Sequence, residues 1–167
     1  MSISETLQSP PVVQLYHFWS SVCSVRCRMA LDEKGVKWES KYIDLFKFDQ
    51  LTPEYLAINP DGVVPTLVCD GQPIRESVII NEYIDDAFRG PSLIPADPLR
   101  AARMREFIRT CEVALTPIAL LTYVKYILPK LRNGGAMKSC TSRRRSVRQD
   151  SYATYISRFS AHLLEDC

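Results

Sequence analysis

The 167-residue chain has two histidines, His17 and His162, and six cysteines, at 23, 27, 69, 111, 140 and 167, none of them in CxxC spacing. Without paired Cys/His ligands there is no zinc-binding pattern, and no metal site is expected. A disulfide framework is not expected either, and most of the thiols read as small buried hydrophobes. No apolar run is long enough to cross a membrane, and the polar start MSISETLQSPP carries no secretory signal, so the expectation is a cytoplasmic protein. Charge of one sign is also lacking. The net charge of +2 argues neither for nor against nucleic acid. The basic stretch Ser142 to Arg148 has no interleaved aromatics and reads as a solvated loop rather than a nucleic-acid patch.

Hydrophobic residues make up 46% and charged residues 24%, an ordinary globular balance. Val12 to Tyr16 reads as a strand, His17 to Ser24 as a loop, and Val25 to Lys34 as a helix closed by Gly35 in a left-handed turn. Lys37 to Ile43 alternates as a second strand, with Trp38, Ser40 and Tyr42 on one face. A polar, partly helical connection follows, with Thr52-Pro53-Glu54 as a start signal, then the turn Asn59-Pro60-Asp61-Gly62. Val64-Pro65 opens the apolar run Thr66 to Cys69, Asp70-Gly71 is a hairpin signal, and Gln72 to Arg75 returns. Pro73 marks that return as an edge strand. Glu76-Ser77 then opens a helix to Phe88, with Ser77 as a capping residue and Val78, Ile79, Tyr83 and Ile84 packing inward.

The order β-α-β-α-β-β-α is that of a thioredoxin-like α/β domain over residues 1–88. Residues 89–97 form a linker, and 98–167 an all-α, incomplete second domain. Asp97-Pro98 starts a long helix bearing Leu99, Phe107, Ile108, Cys111, Leu115, Ile118 and Leu121, which Pro117 should kink and Pro129 end. Between Arg132 and Arg148 the apolar periodicity lapses; Tyr152, Ile156, Phe159 and Leu163 could restart a helix.

Val64-Pro65 followed by Glu76-Ser77 resembles the glutathione site of the glutathione transferase superfamily. The resemblance implies that Val64, before a cis proline, offers its main chain to the cysteinyl part of glutathione, and that Glu76 and Ser77 hold the γ-glutamyl end. A helix N-terminus suits that carboxylate. An ordinary hairpin leading into a helix accounts for the same residues without a ligand. In a thioredoxin-like domain the loop HFWSSVCSVRCR lies at the N-terminus of the first helix, where an anion is stabilised and a thiol pKa lowered. Ser21 could activate the thiolate of bound glutathione, or Cys23 could itself be the nucleophile. A buried thiol and capping serines are the plainer reading of Cys23 taken alone; beside the Val64-Pro65 and Glu76-Ser77 elements the catalytic reading prevails. Cys27 reads as core, with a resolving-thiol role as the alternative, and Arg26 and Arg28 either add positive potential or simply face solvent.

Ser21-Val22-Cys23-Ser24 is similar to the loop of bacterial reductive dehalogenases and close to that of the zeta class, the maleylacetoacetate isomerases. Residues 47–88 and 93–107 are similar to bacterial β-etherases. The resemblance places Lys47 or Gln50 near the glycyl carboxylate, although a solvated surface lysine is the plainer reading of Lys47. It places a small hydrophobic electrophile against the long helix around Arg105, Arg109 or Glu112. It implies a homodimeric, detoxification-type enzyme acting on an aromatic or halogenated compound. Thiol transfer through Cys23 and a non-catalytic binding module are the alternatives. The family's buried helix with a Ser/Thr-x-x-Asp cap has no counterpart here. The expectation is a truncated second domain that leaves Leu115, Ile118, Leu120 and Leu121 partly exposed, with a reading-frame change after Gly134 as one explanation.

Overall fold

The computed structural model describes residues 11–122 and Lys125. They fall into two compact units, one of residues 11–44 with 57–93, the other of 45–56 with 94–122. In chain order the elements are β1 (Val13–His17), α1 (Val22–Glu33), β2 (Glu39–Tyr42), a 3-10 turn (Asp49–Leu51), α2 (Pro53–Ile58), β3 (Thr66–Cys69), β4 (Gln72–Arg75), α3 (Ser77–Ala87) and α4 (Pro98–Thr122).

The first unit holds a four-stranded sheet in the order β2-β1-β3-β4. β1 runs parallel to β2, with Leu15 opposite Ser40, and antiparallel to β3, with Tyr16 opposite Thr66. β3 and β4 form the hairpin, with Thr66 opposite Arg75. Its turn places Asp70 and Gly71 at φ 48° and 78°, the positive values that a two-residue hairpin turn with right-handed twist requires. Pro73 sits on the outer strand, where a missing N–H costs no ladder bond. This is the mixed sheet of the thioredoxin-like fold.

The core forms where alternate residues of the strands meet two helices. Val13 and Leu15 of β1 and Leu67 and Cys69 of β3 pack with Cys27, Ala30 and Leu31 of α1 and with Ile80 and Ile84 of α3. Leu15, Leu31, Leu67, Ile80 and Ile84 are wholly buried, each contributing about 1.5–3 kcal/mol. Ile79, expected to pack inward, is 51% exposed. At 3.6 residues per turn the inward face is Ser77, Ile80 and Ile84, and Ile79 points away from it.

α1 begins at Val22, a turn earlier than the sequence suggests, because the Ser21 hydroxyl accepts the Ser24 N–H (3.3 Å) and caps it there. His17 belongs to β1 rather than to the following loop. β2 is shorter than expected, although Trp38 does pack against the core. Asp97 caps α4 through the Arg100 N–H (2.8 Å), and Pro117 lies within that helix. Leu99, Phe107, Ile118 and Leu121 of α4 are 58–69% exposed and Leu115 is half-buried. The Leu120 side chain, the end expected near Pro129 and the tail lie outside the described residues.

A buried ion pair closes the first unit. Lys34, the C-cap of α1, reaches Asp85 of α3 at 2.9 Å, and both side chains are under 10% exposed. The Asp85 carboxylate also accepts the Leu93 N–H (2.8 Å) and the Ser92 hydroxyl (3.4 Å), tying the segment after α3 to the pair. Gly90, at φ 142°, passes so close to the Lys34 main chain that a Cβ would lie 3.1 Å from its carbonyl oxygen. Burial opposes ionisation of Asp85, but the Leu93 N–H and Lys34 outweigh it and hold the carboxyl below its usual value. Its contribution is therefore complete above the unfolded-state pKa, about 4, and is lost as pH falls through the lower folded value. Asp85→Asn keeps the shape but leaves the lysine charge buried without a counter-ion. A loss of roughly 3 kcal/mol is expected in urea unfolding at pH 7, shrinking as pH is lowered below 4. A variant as stable as the parent at pH 7 would contradict this account.

Candidate functional site

The strand register brings separate segments to one edge of the sheet. Because Tyr16 faces Thr66 and Thr66 faces Arg75, the end of β1, the start of β3 and the end of β4 share that edge. The chain leaves β1 there into residues 18–21 and α1, enters β3 there through Val64-Pro65, and leaves β4 there through Glu76 into α3. Ser21, Cys23, Val64, Pro65, Glu76 and Ser77 thus come from three segments of the same unit to a common edge. A hydrogen bond from the Cys27 thiol to the Ser77 carbonyl (3.6 Å) ties α1 to the start of α3.

The Val64–Pro65 peptide bond is cis. Among the described residues, neither the N–H nor the C=O of Val64 has a hydrogen-bond partner. A residue beside a strand end, with donor and acceptor both unused, can pair with another main chain. Asn59, wholly buried, fixes the approach to this residue. Its amide donates to the Val63 carbonyl and to the Thr66 hydroxyl, both at 2.9 Å, so the segment is held on either side of Val64-Pro65.

Glu76 is exposed and is the N-cap of α3, with φ 67° and ψ 115° and no side-chain cap bond. A non-glycine residue there carries backbone strain of order 1–3 kcal/mol. Ser77, expected as a cap, is instead the first helical residue and is buried, because the chain turns into the helix at Glu76. The first N–H groups of α3 have no intrahelical acceptor and suit a carboxylate.

At the other helix terminus, Cys23 is the second residue of α1 and half-buried. The Arg26 guanidinium lies 3.8 Å from its sulfur. Ser21 uses a lone pair to cap the helix, so its O–H proton remains available to a second acceptor. Cys27, one turn on, is wholly buried and its thiol is pushed up to about 12, mainly by burial. That protonated thiol suits a core position. Among the described residues no group of three or more His, Cys, Asp or Glu side chains could hold a metal.

Lys47 and Gln50 fall in the second unit: Lys47 is exposed, and Gln50 lies in the 3-10 turn with a buried Oε1 that has no partner among the described residues. Arg105 and Arg109 are exposed on α4, where Glu112 is half-buried.

Residues 11–86 match the family model for the glutathione S-transferase N-terminal domain. Over these residues the chain carries a glutathione S-transferase N-terminal domain. It is 38% identical over 131 residues to glutathione S-transferase 1 of Dianthus caryophyllus, spanning 78% of this chain and 58% of that one. The β-etherase LigF of Sphingobium superposes with a TM-score of 0.63 at 26% identity, covering 92% of this chain and 71% of the other. A maleylacetoacetate isomerase from Methylobacterium extorquens AM1, solved with bound malonate and GSH, superposes with a TM-score of 0.54 at 39% identity over 56% of this chain and 44% of the other. The chain spans a little over half the length of the curated relatives it matches most strongly.

Two groups at this edge were missed by sequence reasoning. Asn59 looked like one residue of a turn, and its side-chain contacts require knowing where Thr66 returns. From the sequence Arg28 reads as either a source of positive potential or a solvent-facing residue. It donates to the His17 ring (3.1 Å) and to the carbonyls of Phe18 (3.4 Å) and Trp19 (3.0 Å). A guanidinium has no acceptor, so His17 Nδ1 must accept and Nε2 carries the proton donated to Ser40 Oγ (2.7 Å). Burial first, and then the Arg28 charge, hold the His17 pKa below its usual value.

The strain at Glu76 is open to a direct stability test. Glu76→Gly removes the Cβ conflict and raises unfolded-chain entropy, so the expected net change lies between zero and a gain of about 1 kcal/mol. Chemical denaturation in the absence of ligand checks this, and a clear loss of stability would show that the Glu76 side chain holds the turn.

Proposed function

We propose that the protein is a glutathione-dependent transferase or lyase, whose thioredoxin-like domain (1–88) binds glutathione. Residues 89–97 would be the linker to a second domain that begins with α4. The observation that carries this reading is the unused main-chain pair of Val64 at the edge shared by two helix N-termini. Val64 would pair with the cysteinyl residue of the tripeptide, Pro65 fixing its presentation. The N–H groups of α3 at Ser77 would take the γ-glutamyl carboxylate and the Glu76 carboxylate its ammonium group. A substrate so held would extend its thiol toward α1. Ser21 O–H would donate to the thiolate, lowering its pKa and keeping it reactive toward a small aromatic or halogenated electrophile. Dehalogenation and aryl-ether cleavage are the two forms of that chemistry favoured by the resemblance. Lys47 and Gln50 are proposed for the glycyl carboxylate on the family resemblance, Lys47 through its ammonium group and Gln50 through its amide N–H.

The half-buried Cys23 sulfur beside Arg26 favours a second reading. The Cys23 thiolate would attack glutathione disulfide, forming a protein–glutathione mixed disulfide and releasing one glutathione thiolate. A cytoplasmic homodimer belongs to the same proposal, on the family resemblance. A non-catalytic binding module would keep the Val64 and Ser77 contacts and turn nothing over.

The readings separate in one set of assays with a generic aryl halide and with glutathione disulfide. If Ser21 leads, Ser21→Ala lowers conjugation by about 10²-fold, and Cys23→Ser changes it less than threefold. If Cys23 leads, Cys23→Ser abolishes thiol transfer, and peptide-mapped mass finds one glutathione at Cys23 in the parent. Neither activity in protein that binds glutathione would leave the binding module; failure to bind glutathione would overturn the whole reading.

A further inference from the structure

Arg28 sits one turn and a half beyond Cys23, on the flank of α1 that faces back toward the end of β1. All its described acceptors are neutral: the His17 imidazole and the carbonyls of Phe18 and Trp19. Those carbonyls belong to the residues that carry the chain from β1 to Ser21. Each bond is charge-assisted, and the two to carbonyls act on consecutive peptide units, which fixes the direction of the segment as well as its position. Phe18 anchors the segment from within, its ring centroid 5.9 Å from that of Tyr42. Trp19 is 62% exposed, and its local main-chain bond is Ser21 N–H to the Phe18 carbonyl (3.2 Å).

The arrangement is braced from behind. His17 is buried, at the last position of β1, and gives its Nε2 proton to Ser40 of β2. Trp38 and Tyr42 of β2 stand edge-on to its ring at centroid distances of 5.7 and 6.2 Å. With the ring fixed by β2, its Nδ1 lone pair is a rigid acceptor that sets where the guanidinium lies. Phe18 is buried, with its N–H directed to the hydroxyl of Ser24 (3.4 Å), whose own N–H is capped by Ser21. The path from β2 to the first turn of α1 is therefore continuous: Ser40, His17, Arg28, the Phe18 and Trp19 carbonyls, then Ser21 and Cys23.

We propose that Arg28 is a positioning residue for this edge: by fastening the Phe18 and Trp19 carbonyls to the His17 imidazole, it holds the segment that sets the Ser21 hydroxyl and the Cys23 thiol against a bound thiol. It touches neither glutathione nor the electrophile. The turnover part of this inference rests on the glutathione-dependent function proposed above; the structural part does not.

The test compares the parent with Arg28→Met and Arg28→Lys in the full chain. Calorimetry gives the glutathione dissociation constant, steady-state conjugation of a generic aryl halide gives kcat, and amide hydrogen exchange gives local protection. Val64 and the start of α3 do not depend on Arg28, so the dissociation constant should stay within threefold in both variants. In Arg28→Met, kcat should fall at least tenfold. Protection of the Ser21, Ser24 and Val25 amides should fall at least tenfold, while that of Ile80 in α3 is unchanged. Arg28→Lys, able to reach one carbonyl, should recover part of both losses. Unchanged kcat with unchanged exchange overturns the proposal. So does an equal loss of protection at Ile80, which marks Arg28 as a general stabiliser. If the parent fails to bind glutathione, the functional reading falls, but the exchange comparison still decides whether Arg28 holds the segment. If Arg28→Met does not fold, the same exchange comparison is made with His17→Phe, which removes the acceptor that places the guanidinium. Selective loss at Ser21, Ser24 and Val25 is then expected, and no loss there overturns the proposal.

Discussion

The antiparallel register of β1 with β3 is the constraint on which the site depends. Setting Tyr16 opposite Thr66, and Thr66 opposite Arg75, brings three chain turns to one edge of the sheet. A slip of one residue would move Leu15 and Leu67 out of the core and carry Val64 away from the end of β1. The register is therefore protected by core burial, since both leucines are wholly enclosed against α1 and α3. Stability and site geometry share one cause here.

At that edge several features of the main chain coincide. Val64 leaves its donor and acceptor unpaired, Glu76 holds a positive φ without being glycine, and two helices direct their first N–H groups outward. Each feature is mildly unfavourable in the isolated domain, and under the proposed function the unpaired Val64 groups and the helix N–H groups would gain partners from an extended, carboxylate-bearing peptide. Asn59, Arg28 and His17 hold the segments in place from behind. The buried Lys34–Asp85 pair anchors the far end of α1 to α3 and to the segment beyond it.

Much of this was legible in the sequence because it is local. The Asp70-Gly71 turn, the cap at Asp97, Gly35 after α1 and the edge position of Pro73 follow from residues within a few positions of one another. Element order followed from these punctuation marks, and the Val64-Pro65 and Glu76-Ser77 pairs stood out through resemblance. What escaped depends on contacts made across the sheet. The start of α1 at Val22 requires knowing that Ser21, among three nearby serines, is the one that caps. Whether Ile79 or Ile80 faces inward is settled by where α3 begins, one residue after a strained N-cap. Arg28 could not be told from a solvent-facing arginine without His17 and the two carbonyls, and Asp85 could not be matched to Lys34 across 51 positions.

The central claim is that one edge of the sheet is a single glutathione site built from three segments. The most direct measurement is titration of isotope-labelled protein with reduced glutathione, followed by backbone amide chemical shifts. The account predicts that the amides of Val64, Ser77 and Cys23 move together along one saturable curve, with those of the β3–β4 turn at the opposite edge, Asp70 and Gly71, unmoved. Folded protein with no saturable shift, or shifts that leave Val64 and Ser77 unchanged, would contradict it.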